Sequence, residues 1–179
     1  MMCKRAVFSL WILCLAVVTM TATIIPAQAQ TTLGTQDKQF LLNAAAASVA
    51  QVKASQLADT KAASDDVRIF AANMFKNHSL IGQDLRDLAK AKDIVLPTEP
   101  RMSQQQDIGK LGKLTGAGFD REYARVMGVL ASKELVALYS KAAGGAQDGD
   151  VKSFAARTLI NLQDDSQSAA QLKTATDKR

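Results

Sequence analysis

From Val67 to Leu88, the residues Val67, Phe70, Met74, His78, Ile81, Leu85 and Leu88 follow one another at intervals of three and four. That spacing keeps side chains on one face of a helix and is incompatible with the two-residue period of a strand. Two further segments read the same way. One runs Phe40, Ala44, Ala47, Gln51, Ala54 and Ala58; the other runs Val151, Phe154, Thr158, Leu162, Asp165, Ala169 and Leu172. A fourth helical segment lies between Gly118 and Gly145. No strand-like alternation interrupts them, so the chain is expected to be all-α.

The punctuation between segments sets their order. The first helix is expected from Gln36 to Ala62 with Thr35 as its N-cap. The second starts after Ser64, a good N-cap followed by Asp65 and Asp66 at the positive end of the helix dipole, and runs to Lys92. "DIVLPTEPRMS" then carries Pro97 and Pro100 and reads as a long crossover, with a short helix over "QQQDIGKL". The third long helix begins near Gly118 and Phe119 and stops at Gly144-Gly145, a glycine C-terminal signal. The fourth begins near Asp148 to Asp150 and runs through Leu172, leaving "TATDKR" as a frayed tail. Two tight turns and one long crossover predict an antiparallel four-helix bundle.

The first residues belong to another category. Lys4 and Arg5 precede an apolar run from Ala6 to Met20, and Ala27-Gln28-Ala29 supplies small residues where a signal peptidase cuts. Residues 1–29 are therefore read as a signal peptide and 30–179 as a single domain, periplasmic or otherwise exported. The rival reading is an uncleaved anchor; once the signal is cleaved, no transmembrane segment is expected. Cys3, Cys14 and Trp11 leave with the signal, which removes disulfide and thiol chemistry from the mature chain. Lys4 and Arg5 leave too and no acidic residue does, so the formal charge falls from +5 to +3. The cations are interspersed and aromatics are scarce, so a nucleic-acid partner is not expected. An envelope or protein partner stays open.

Each of the three stripes carries one polar interruption: Gln51, His78 and Asp165. Residues level across the first hairpin have numbers adding to about 129, which matches Gln51 with His78. Asp165 falls opposite Val129 or Leu130, with Glu134 one turn along. Gln51, His78 and Asp165 are therefore expected to form an interior polar layer, joined by a His–Gln or His–Asp hydrogen bond. His78 with Asp165 and Glu134 is the candidate set for a low-affinity transition-metal ion; a structural histidine is the alternative. Gly82, one turn from His78, and Gly128 are read as close-packing positions, with room for a small ligand beside His78 as the other possibility. Because helix one is rich in alanine, little internal volume is expected.

The segment from Asp37 to Pro97, including "QLADTKAASDDVRIFAANMFKNH", together with "TGAGFDREYARVM" from Thr115 to Met127, resembles the exported bacterial family called domain of unknown function 4142. The resemblance implies a ferritin-like four-helix architecture with one long crossover and no settled activity. It also implies a Glu at the position of Gln51, a His at that of His78, an Asp-His pair around Leu130, Ala131 and Ser132, and a His about where Asp164 and Asp165 stand. Of those, this chain keeps His78 alone. A ferritin-like di-iron centre needs about four carboxylates and two histidines on facing helices, which one histidine cannot supply. The mature chain also lacks a cysteine and a phosphate-binding glycine loop. "DGD" (Asp148 to Asp150) is too short for a calcium loop, and "SKEL" (Ser132 to Leu135) reads as surface rather than as a Ser-Lys pair. No catalytic residue and no cofactor-binding residue is expected. The chain reads as a non-enzymatic exported bundle with a degenerate polar centre, and weak mononuclear metal binding through His78 is the alternative.

Overall fold

The computed structural model describes residues 33–178, and every element it describes is helical. The signal peptide expected over residues 1–29 lies outside these residues. Helix α1 spans Thr35–Lys61 and α2 spans Asp65–Ala91, joined by a tight turn into a hairpin. A connector leads to the short α3, Met102–Leu111. Then α4 (Gly116–Tyr123), a wider π-helical segment (Ala124–Leu130) and α5 (Ala131–Gly145) follow one another as a single rod. After a second tight turn, α6 spans Gly149–Asp177. Among the described residues, no helix is long and apolar enough to cross a membrane.

The stripes land where their spacing puts them. All six stripe residues of α1 are buried, as are all of those on α2 except Leu88 and all of those on α6 except Asp165. The two hairpins lie against each other through α1 with α5 and α2 with α6. Each turn is held by a buried carboxylate from the opposite hairpin. Asp120 of α4 accepts the Ala63 and Ser64 N–H groups at 3.1 and 2.9 Å. Asp37 of α1 accepts those of Gln147 and Asp148 at 3.0 and 2.8 Å. Hydrogen bonds to a charged acceptor contribute about 1.5–3 kcal/mol each, so this reciprocal stapling fixes the docking of the hairpins as well as their turns. Lys92, at the end of α2, adds ion pairs at 2.7 Å to both Asp148 and Asp150.

The apolar core is divided along its length. One cluster gathers Phe40, Leu85, Tyr139, Val151, Phe154 and Leu162; the other gathers Val67, Phe70, Met74, Phe119, Tyr123 and Leu172. Each has an aromatic centre: Phe40 meets Tyr139 edge-on at 5.0 Å, and Phe119 stacks on Tyr123 at 5.5 Å. The boundary between them falls at Gln51 on α1, between Ala47 and Ala54, and at His78 on α2, between Met74 and Ile81.

Three local expectations are corrected. The N-cap of α1 is Gly34 rather than Thr35, which sits one residue inside the helix. The tail after Leu172 stays helical to Asp177, because Thr176 is buried and its Oγ donates to the Lys173 carbonyl at 3.0 Å. The third long helix is not α-helical throughout, and the reason for its π segment lies in the polar level that divides the core.

Candidate functional site

In an α-helix the Ala131 N–H would bond the Met127 carbonyl, four residues back. Here it reaches the carbonyls of Val126 and Gly128 instead. The Met127 carbonyl accepts a hydrogen bond from Gln51 Nε2 at 3.0 Å, in the buried interior. A side chain inserted into the backbone ladder is a recognised cause of such widening. Gly128, in the same segment, lets α6 come close: a Cβ built there would lie 3.5 Å from the Cβ of Ala169. The expectation of close packing at Gly128 therefore matches its surroundings.

His78 is treated differently. It is 2% exposed, and its Nδ1 finds no hydrogen-bond partner among the described residues. Gln51 Oε1 is likewise without a partner there, so the expected Gln51–His78 hydrogen bond does not form. Nor does a His–Asp bond. Asp165 accepts from Asn77 Nδ2 at 3.1 Å, on the half-buried flank of α2 beside His78. Burial drives the two groups' titration in opposite directions. It lowers the His78 pKa from 6.5 to about 4, since the charged imidazolium is poorly solvated there. It raises Asp165 to about 6, with the Asn77 hydrogen bond opposing and Asp164 adding to the rise. At neutral pH the imidazole is uncharged.

His78 is one of the residues lining an open cleft of about 760 Å³ between α1, α2 and the connector. Val49 and Val52 of α1, Gly82 of α2, and Ile94 and Leu96 of the connector give it apolar walls. Gly82 is not a close-packing position: a Cβ there would meet only the guanidinium end of Arg86, at 3.5 Å. The small residues of α1 and α2 therefore leave a space beneath the connector, against the expectation of little internal volume. Ser48, 2% exposed, also lines this cleft, and its Oγ is a second buried polar atom with no partner among the described residues.

The proposed metal set is not assembled. Glu134 is exposed on α5 and lines a separate groove of about 490 Å³ that Gln51 also borders. Asp165 borders neither space. Among the described residues, no group of three His, Cys, Asp or Glu side chains could hold a metal ion. The level arithmetic placed these residues along the helices but said nothing about which way round each helix they point.

Ser48, Asn77, Arg86 and the Met127 carbonyl were missed from sequence. Ser48 carries a weak signal as the one hydroxyl inside "NAAAASVA". The π segment carries a better one. Phe119, Tyr123, Met127, Leu135 and Tyr139 are all buried and are separated by four or a multiple of four. An α-helix of about 3.6 residues per turn cannot keep that spacing on one face; a locally wider helix can.

No curated protein and no solved structure matches the chain. One family model does, over residues 22–172, and it is described as a domain of unknown function (DUF4142). A match over that much of the sequence places the chain in its family: it is a member of the DUF4142 family.

Proposed function

We propose that this chain is an exported, non-catalytic binding protein. In this reading its helices form a ferritin-like antiparallel four-helix bundle, with the connector and α3 as the crossover, and it holds a small, mainly apolar molecule beside His78. One observation carries the reading. Two buried polar atoms, His78 Nδ1 and Ser48 Oγ, have no partner among the described residues, and both residues line the same apolar cleft. A buried polar group left unmade costs about 1–3 kcal/mol, so two of them in one cleft point to a ligand that satisfies them. Apolar walls with a few convergent polar groups are the usual make-up of small-molecule sites.

Catalysis draws no support from the same residues. A serine nucleophile needs its base within hydrogen-bond reach, and Ser48 and His78 share no hydrogen bond. Metal binding at His78 would have to recruit donors beyond Asp165 and Glu134, which are not gathered around it. Export rests on the Lys4-Arg5, Ala6–Met20 and Ala27-Gln28-Ala29 pattern.

Nile red, a neutral apolar dye, tests the cleft directly. Its fluorescence should rise on mixing with the purified protein and saturate at one dye per chain. Gly82→Leu should abolish that rise while leaving the melting temperature unchanged or higher, because leucine is the better helix former and the space is open. Dye binding that survives Gly82→Leu in a folded protein would remove the cleft from consideration.

A further inference from the structure

The charges at this cleft are of one sign. Lys53, Arg86 and Lys90 line it and no carboxylate does. Lys53 is spoken for by its ion pair with Glu99. Arg86 and Lys90 form no ion pair among the described residues. They stand one helical turn apart on the exposed stretch of α2, able to converge on one anion. The Gln51 groove differs, since Arg101 and Lys141 there are matched by Asp107 and Glu134.

The polar groups therefore fall into two places. The buried end, with His78 and Ser48, is uncharged at neutral pH and offers hydrogen bonds. The open end offers two cations. Counting along α2 at about 1.5 Å per residue, the backbone of Arg86 and Lys90 lies roughly 12 to 18 Å beyond that of His78, and the Arg86 guanidinium reaches back over Gly82. Apolar residues of α1 and the connector line the cleft with them. We infer that the ligand is an amphipathic organic anion, a medium-chain carboxylate that carries a hydroxyl at the end remote from its charge. The carboxylate meets Arg86 and Lys90, the chain lies along Ala45, Val49 and Leu96, and the hydroxyl reaches His78 and Ser48. A hydroxyl suits that end because it donates one hydrogen bond and accepts another, which serves an imidazole and a serine together. A second charge would not suit it, because nothing there neutralises one. The inference rests on the cleft being a binding site, as proposed above, and adds the class of occupant.

Three probes of equal chain length separate the contributions: ω-hydroxydodecanoate, dodecanoate and 1-dodecanol, titrated into the purified protein by calorimetry below micelle-forming concentrations. Affinity should fall in that order, by about tenfold at each step, the size expected for one hydrogen bond or one partly exposed charge contact. Arg86→Gln with Lys90→Gln should erase the preference for dodecanoate over dodecanol and keep the preference for the hydroxylated chain. Ser48→Ala should do the reverse. Dodecanol binding as tightly as dodecanoate overturns the inference, as does a charge preference that survives the double variant or a hydroxyl preference that survives Ser48→Ala. If Nile red binds and is lost in Gly82→Leu while the carboxylates show no preference, the cleft reading stands and only the ligand class falls. If neither dye nor amphiphile binds, both fall.

Discussion

Gln51 and His78 stand one on each helix of the first hairpin, between residues of the two core clusters, and each is almost completely buried. They answer the cost of burial in different ways. Gln51 spends its donor inward, on the Met127 carbonyl, and the neighbouring rod widens into a π segment around that contact. His78 Nδ1 finds no partner among the described residues, and His78 lines the cleft beneath the connector. Two polar interruptions that look equivalent in a helical stripe thus separate into a structural residue and an available one. What distinguishes them is the direction each side chain takes around its helix and the backbone group, or lack of one, that it meets.

Acid should separate them most strongly. The His78 pKa is lowered in the folded state, so between about 6.5 and 4 the unfolded chain holds more protons than the folded one. Its contribution to stability is fully present above pH 6.5 and is lost as the pH falls toward 4, by roughly 3 kcal/mol. Asp165 works the other way. Its raised pKa means the folded state takes up a proton first, so stability rises as the pH falls through about 6 toward 3.8. The difference between wild type and His78→Leu isolates the histidine. Urea denaturation at pH 7 should find the variant as stable as wild type, or about 1 kcal/mol more stable, because an unpartnered buried polar group has been removed. At pH 4 the gap in favour of the variant should widen by roughly 3 kcal/mol. A gap that does not change with pH would mean that His78 is hydrated or paired in solution, and the contrast with Gln51 would collapse.

The Gln51 side should yield the next largest effect, with the opposite sign. Gln51→Leu conserves bulk but leaves the Met127 carbonyl facing an apolar residue, a loss of about 1–3 kcal/mol at any pH. Amide exchange in the stretch 124–131 should quicken in that variant, since its ladder is already displaced from the ordinary pattern. Unchanged stability together with unchanged exchange would show that the π segment does not depend on Gln51.

These two residues also mark where sequence reading succeeded and where it stopped. Helix existence and the buried faces were legible because interval and burial follow the same geometry: Val67, Phe70, Met74 and Leu85 could hardly point anywhere but inward. That Gln51 and His78 interrupt buried stripes was legible from the same spacing. Their separate fates were not, because hydrogen-bond direction depends on backbone that only the fold brings near. The same holds for the turn staples. Asp37 and Asp120 lie more than fifty residues from the N–H groups they accept, and a lone aspartate near a helix start reads as an ordinary dipole partner. The cleft was misjudged for a different reason. Small residues on α1 were taken as a sign of close packing, which holds against α5. Beneath the connector the same small residues and Gly82 leave volume instead. Smallness alone does not say whether a neighbour arrives to use it.

The smallest expected effect concerns metal ions, and it bears on the same contrast because an available imidazole is also a potential ligand. At neutral pH His78 is unprotonated, so proton competition would not prevent coordination. Geometry is what weakens it. Asp165 is engaged with Asn77, Glu134 lies in the other groove, and the cleft around His78 carries cations rather than carboxylates. One imidazole with solvent for company gives low affinity, and nearby Arg86 and Lys90 lower it further by repulsion. Zinc at tenfold molar excess should therefore shift the melting temperature of the wild type by less than a degree, as it does for His78→Leu, whereas native-state binding would raise the wild type's by mass action. A rise of several degrees, lost in His78→Leu, would mean that carboxylates move toward the imidazole on binding. His78 would then be a ligating residue, and the amphiphile would have to compete with zinc for it.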